Sequence, residues 1–410
     1  MRQIITFLGL QAKTTTYSFE GENYKGDVFA EALHQFCQYD SMLVCVTSEA
    51  KKKTFPILEK LEDSRIQAVE IPNGETTEEM WETFSFITEK VNENDHVIFD
   101  ITHGLRSLPF LVFLFAAYLK TAKNVTIEAI YYGAWELGIS NNGIAPVVNL
   151  SEFVGILDWI TATDQFTQTG DAQRLAKLLN PDGKASNITK KAATTLSDVS
   201  LATLLCQPLQ LASKAQSLES DLLKAQEQLK LTAPPFEMLR QRITDTFGNF
   251  IGDFQKDTKK ALEAQFRLII WYQNNNRLIE AMSLAREWLI NAVTYRLGLS
   301  FTLKLNTREK LIARAISGVE MVSRNALEVE ELNEYGRIIY DTWTEKDGLI
   351  QLWNALQPVR NGLDHAGHQE GAMSVSKIVK TANEKIKPLL YDLAKTWELE
   401  ELESCSASNR

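Results

Sequence analysis

Two short stretches concentrate side chains able to do chemistry. In "FDITHGLRSLP", Phe99 to Pro109, an apolar run closes on Asp100 and is followed at once by Thr102, His103, Gly104, Arg106 and Ser107. Hydroxyl, imidazole and guanidinium groups beside an open backbone, just past a buried strand, are groups that hold an anion such as a phosphate. In "LQPVRNGLDHAGHQE", near the C-terminus, Arg360 and Asn361 precede His365. A guanidinium that can hold a phosphate thus stands five residues from an imidazole that titrates near neutral pH, a pair that is a weak motif by itself.

The first stretch is positioned by an alternating pattern. The β-rich runs 3–9, 42–47, 66–72, 96–102 and 125–133 are separated by amphipathic segments such as "DVFAEALHQFCQY" and "TEEMWETFSFITEKV". Such alternation predicts a doubly wound, mostly parallel α/β domain. Ligands of these sheets sit beyond the carboxyl ends of the strands. Asp100 to Arg106 follow the fourth strand there; Gly9, Leu10 and the loop Lys13, Thr14, Thr15 and Thr16 follow the first; Tyr132, Gly133 and Ala134 follow the fifth. Neither G-x-G-x-x-G nor a P-loop is present, which counts against NAD and against ATP hydrolysis. A structural alternative stays open: Asp100 and Thr102 could cap a helix starting near Leu105, with His103 a turn residue. The Asn142-Gly143 pair between apolar runs predicts a hairpin at the sheet edge.

Beyond about residue 155 the strand signals fade and helical spacing runs to the C-terminus. The polar, turn-rich segment 180–200 reads as a connector, giving 1–155, 156–200 and 201–410 as the divisions. Pro358 fits the first turn of a helix, which would set Arg360 and Asn361 near a helix N-terminus, where free amides favour phosphate. Arg360 and His365 lie about 500° of rotation apart, so they point about 140° away from each other, whereas Asn361 and His365 share a face. The alternative is that Arg360 pairs with Asp364 at i+4 and His365 is an ordinary helix residue. Trp271, Trp288, Trp343 and Trp353 read as packing, and Arg286 and Glu287 as either a buried pair or neighbours of the site.

Composition narrows the classes further. A formal charge of −10 argues against non-specific coating of nucleic acid and against DNA binding. Cys37, Cys45, Cys206 and Cys405 show no metal or disulfide spacing and fit a reducing cytoplasm. "PFLVFLFAAYL" is too short to span a membrane and reads as a buried helix. The N-terminal "MRQIITFLGL" reads as a strand without a cleavage site. No carboxylate or Cys/His cluster stands near Arg360, so no metal is expected.

"DITHGLRSLP" resembles the Asp-x-Thr-His-Gly signature of CRISPR-associated proteins whose N-terminal CARF domain binds cyclic oligoadenylate. "RNGLDH" is similar to the Arg-Asn-x-x-x-His motif of HEPN ribonucleases, which are all-α, and sensor-then-effector order is that of CARF-HEPN proteins. The resemblance implies a Rossmann-like CARF domain followed by an all-α HEPN domain. It implies a metal-independent endoribonuclease of type III CRISPR defence that cleaves single-stranded RNA and acts as a homodimer. On family grounds the activator is cyclic tetra-adenylate. The resemblance assigns Arg360, Asn361 and His365 to catalysis. The ligand falls to Gly9, Leu10, Lys13, Thr14, Thr15, Thr16, Asp100, Thr102, His103, Gly104, Arg106, Tyr132 and Gly133. Two further readings stay open: that the CARF domain degrades its own cyclic ligand, and that the chain is a non-catalytic sensor.

Overall fold

The computed structural model describes residues 1–104, 107–138, 141–230, 236–368 and 370–399. Eight strands are found among them: β1 (Arg2–Leu8), β2 (Thr15–Phe19), β3 (Glu22–Gly26), β4 (Ser41–Val46), β5 (Ile66–Glu70), β6 (His96–Asp100), β7 (Thr126–Gly133) and β8 (Ile144–Asn149). They form one sheet in the order β3-β2-β8-β7-β6-β1-β4-β5. The centre, β5-β4-β1-β6-β7, is parallel, with Ile4 opposite Ile98 and Asp100 opposite Tyr131. The inner strands β1, β4 and β6 read as nearly unbroken apolar runs because both faces are covered, whereas β5 at the edge exposes Gln67 and Glu70. Ile4, Leu8, Val44 and Ile98 pack on one side with Phe29 and Leu33. Ile5, Phe7, Leu43, Val97 and Phe99 pack on the other with Val112 and Phe115.

Three expectations change in this unit. β8 pairs antiparallel with β7 but parallel with β2, so it lies inside the sheet and not at its edge. The Asn142-Gly143 pair does turn the chain with both φ angles positive, but the segment before it is the short helix Trp135–Gly138. Second, Thr15 and Thr16 belong to β2, paired across from Gly26 and Lys25 in the β2–β3 hairpin, not to an open loop. Third, the helix Leu108–Ala122 is buried on one side only: Phe110, Leu114 and Tyr118, four residues apart, are exposed.

The chain divides into two compact units, Met1–Asp158 and Trp159–Arg410. The described part of the second is helical. Residues 187–200, expected within a connector, belong to the helix Asn187–Leu204. Its buried face is built from Ala192, Ala193, Thr195, Leu196, Val199, Ser200, Ala202 and Thr203. Small hydroxyl and methyl side chains let neighbouring helices approach closely, and Thr195 satisfies its hydroxyl on buried Asp221 at 2.8 Å. Trp288 is fully buried with its indole N–H donating to the Leu262 carbonyl at 2.9 Å, and Trp353 is buried as well. Among the described residues no helix is long and apolar enough to cross a membrane.

Candidate functional site

The parallel strand order places the topological switch between β1 and β6, where successive crossovers leave in opposite directions and a crevice opens beyond the strand ends. The loops after these two strands meet there. A Cβ built on Gly9 would lie 3.6 Å from the Gly104 amide nitrogen. Gly104 has φ +118, and a side chain there would drive into Leu108 at 2.6 Å, so only glycine fits. Among the described residues the amides of Gly9, Leu10, His103 and Gly104 take no hydrogen-bond acceptor. Backbone donors at a switch point are suited to an anionic ligand.

The motif's side chains play a different part from the one expected. Asp100 is fully buried and accepts from the Thr6 hydroxyl at 2.6 Å and from the Thr102 amide at 2.7 Å. The Thr102 hydroxyl oxygen accepts from the Gly133 amide at 2.7 Å, and His103 Nε2 accepts from the Phe29 amide at 3.2 Å. These bonds tie β1, β6, β7 and the helix Phe29–Phe36 together at one end of the sheet. Neither Asp100 nor Thr102 caps the following helix, whose N-cap is Ser107. Burial raises the Asp100 carboxyl above its ordinary range, with the charge of His103 opposing, and burial lowers His103. A neutral His103 is what its acceptor role at Nε2 requires.

The remaining expected residues line up less directly. Thr14 donates to Asp27 Oδ1 at 2.5 Å and Thr15 to the Lys13 carbonyl at 3.0 Å, so these hydroxyls serve their own loop. Leu10 is exposed. The Tyr132 hydroxyl donates to Glu136 at 2.6 Å. Lys13 places its ammonium 4.4 Å from the centre of the Trp135 ring, an aromatic platform the sequence reading passed over. Thr6 and Thr54, whose hydroxyl donates to the Gly9 carbonyl at 2.9 Å, were also missed. A lone threonine inside the apolar run "IITFL" was the signal for Thr6. Arg106 lies outside the described residues.

In the helical unit, Pro358 stands inside the helix Lys346–Asp364, not in its first turn. Apolar residues from Leu349 to Val359 keep the helix packed through the proline. Arg360 and Asn361 therefore lie at the C-terminal end, where the dipole favours a cation and free amides are absent. Asn361 and His365 are exposed, and Arg360 is half-buried with its Nε 3.2 Å from Asp364 Oδ2, the i+4 pair weighed above. His365 is the C-cap. The Gly367 amide bonds the Gly362 carbonyl and the Ala366 amide bonds Leu363, each at 3.0 Å, a Schellman turn. Ala366 occupies its left-handed position at φ 49. Ala366→Gly should therefore stabilise this unit by about 1 kcal/mol. The measurement is the urea midpoint, and a midpoint unchanged or lowered would show that the turn stores no strain.

Residues 3–136 match the family model of the CARF domain of the CRISPR system endoribonuclease Csx1, and 155–257 match the second domain of CRISPR-associated protein MJ1674. The first compact unit is thus similar to a CARF domain, and the stretch after it to the second domain of a CRISPR-associated protein. MJ1674 of Methanocaldococcus jannaschii is 35% identical over 117 residues, which is 28% of this chain and 18% of that protein. The chain thus spans under a fifth of that relative's length. A structure of Enterococcus italicus Csm6 bound to cyclic hexa-2′-fluoro-hexa-dAMP aligns over 98% of this chain and 96% of its own, at TM-score 0.43 and 8% identity. The Csx1 match takes in every strand of the CARF unit's parallel centre, so the Gly9–Gly104 crevice lies within the matched domain.

Proposed function

We propose that the CARF unit binds a cyclic oligoadenylate and that the helical unit is a HEPN endoribonuclease activated by it. The observation that carries the reading is the switch-point crevice, where Gly9 and Gly104 bring unbonded amides together. Cyclic oligoadenylate carries one phosphate per nucleotide, and such donors suit phosphate oxygens. Asp100, Thr102 and His103 hold the crevice in shape from behind, and Lys13 with Trp135 offers a cation and an aromatic face on the segments that follow β1 and β7. In the helical unit Arg360 stabilises charge on the scissile phosphate, Asn361 orients it, and His365 transfers protons. RNA supplies its own nucleophile: the 2′-oxygen bonds phosphorus and gives up its proton to a base. The bond to the 5′-oxygen breaks and that oxygen takes a proton, leaving a 2′,3′-cyclic phosphate and a 5′-hydroxyl.

The active form in this reading is a homodimer, supported by the exposed face of the helix Leu108–Ala122. Phe110, Leu114 and Tyr118 continue through ring contacts of Tyr118 and Trp81 with Phe84, at 5.0 and 5.5 Å, into one aromatic patch. A patch of this kind on a soluble unit suits a self-complementary interface. Leu114→Glu should sediment as a monomer where the parent chain is a dimer, and a dimer in both would rule this face out. The function is tested with labelled single-stranded RNA without divalent metal, alone and with cyclic tetra- or hexa-adenylate. Cleavage only with a cyclic ligand supports the reading and selects the ring size. Failure with every ring overturns the ribonuclease assignment in favour of a non-catalytic sensor.

A further inference from the structure

A ladder of charges lies near the helix that carries Arg360. Arg286, on the helix Leu278–Arg296, grips Glu309 with two bonds at 2.6 and 2.9 Å and reaches Glu287 at 2.7 Å. Glu287 in turn accepts from Arg308 at 2.6 Å, and Arg308 is also held by Asn291. The two arginines are mostly buried, at 16% and 13% side-chain exposure, while Glu309 is 37% exposed. Arg308 and Glu309 are consecutive, yet both turn toward the same Arg286–Glu287 pair. They do so because Asn306–Ala313 is π-helical, and its wider turn rotates successive side chains less than an α-helix does. Such segments are uncommon and frequently mark functional sites.

The ladder reaches the proposed catalytic arginine by two routes. The Arg286 guanidinium sits 5.7 Å from the centre of the Trp353 ring, and Arg360 follows Trp353 by seven residues, on the same face of the helix. The hydrogen bonds from Arg286 do most to hold Glu309 ionised, and the charges of Arg308 and, least, Arg360 act in the same direction. Around Arg360 the positive groups Arg286 and Arg308 match the negative groups Glu287 and Glu309. Asp364 is then the acid left to meet Arg360, through a half-exposed i+4 contact worth only about 0.3–0.5 kcal/mol, which a phosphate readily displaces.

We propose that Arg286 is a positioning residue: by occupying both carboxylate oxygens of Glu309 it keeps that carboxylate from capturing Arg360, leaving the Arg360 guanidinium free for an RNA phosphate. The proposal rests on the ribonuclease reading for its consequence but not for its geometry. Removing Arg286 strips Glu309 of its bidentate partner, and Arg360 is a cation in range that no buried carboxylate holds. Arg286→Met keeps the aliphatic stem over Trp353 and removes the charge.

The test reads Arg360 directly, by the rate at which phenylglyoxal adds to it in the intact protein, followed by peptide mass spectrometry. The expected result is a several-fold slower addition in Arg286→Met and recovery in the double variant Arg286→Met/Glu309→Gln. Metal-free RNA cleavage with activating ligand is measured on the same proteins. Turnover should fall roughly tenfold in Arg286→Met and return in the double variant, as expected for residues coupled through one charge. A merely structural role for Arg286 predicts no rescue by Glu309→Gln. An Arg360 labelling rate unchanged by Arg286→Met overturns the positioning role. If the labelling follows the expected pattern while no variant cleaves RNA, the positioning role holds and the ribonuclease reading falls.

Discussion

His365→Ala is expected to lose RNA cleavage by about 10²–10⁴-fold while its melting curve stays where it was. The reasoning combines chemistry with position. An imidazole that takes or gives a proton in the transition state supplies about that much rate, and nothing in alanine replaces it. His365 is exposed at the C-cap, and the Schellman turn around it is made by backbone amides and carbonyls, so the side chain can be removed without opening the fold. The two readouts separate catalysis from stability. Cleavage within a few-fold of the parent chain, at equal folding, would leave His365 as an ordinary polar residue beside an Arg360–Asp364 surface pair.

The second large effect is on stability. Asp100→Ala should cost the CARF unit about 3 kcal/mol, because it strands the buried Thr6 hydroxyl and the Thr102 amide, each loss worth about 1–3 kcal/mol. Asp100→Asn keeps a carbonyl oxygen for the Thr102 amide and should cost far less. The two substitutions also differ in pH dependence. Burial raises the folded pKa of Asp100 above its ordinary value of 3.8, so the folded state holds the proton more tightly than the unfolded chain. That contribution is therefore fully present below pH 3.8 and is lost as pH rises through the folded pKa. His103 has the opposite sign: its folded pKa lies below 6.5, so its contribution is present above 6.5 and lost as pH falls toward the folded value. Asp100→Asn should remove the first trend and leave the second. Denaturant midpoints across the acid range measure both, and equal midpoints for Asp100→Ala and the parent chain would refute the role given to this carboxylate.

The parallel centre of the sheet was legible because β1, β4 and β6 are nearly continuous apolar runs set between helical segments. The loops after β1 and β6 were therefore expected at one end of the sheet, and they do meet there at the switch point. The β2–β3 hairpin was not legible: "TTYSF" and "ENYKG" carry one fully buried side chain, Tyr17, among polar neighbours, and their partner β8 comes more than a hundred residues later. The helix Asn187–Leu204 was hidden for a related reason. Threonine and alanine read as loop composition, but here they are the close-packed face of a helix. Within the motif, residue types alone did not distinguish donors offered to a ligand from donors spent on the fold; only the partners Thr6, Phe29 and Gly133 make that distinction. Arg360 and His365 stood out by residue type and were assigned a role by resemblance, and their placement at a helix start failed because Pro358 was taken as a beginning.

Pro358 has a further consequence. It carries no amide hydrogen, so the Asn354 carbonyl lacks the hydrogen bond that a helical residue four positions on would donate. The end of that helix, with Arg360 and Asn361, is joined to the buried turns before it by one rung fewer than an unbroken helix would have. In terms of amide exchange, residues 359–367 should open at a lower free energy than residues 349–356, as a separate local event. The segment that meets the proposed substrate is thereby able to loosen and re-form while the turn carrying Trp353 stays closed.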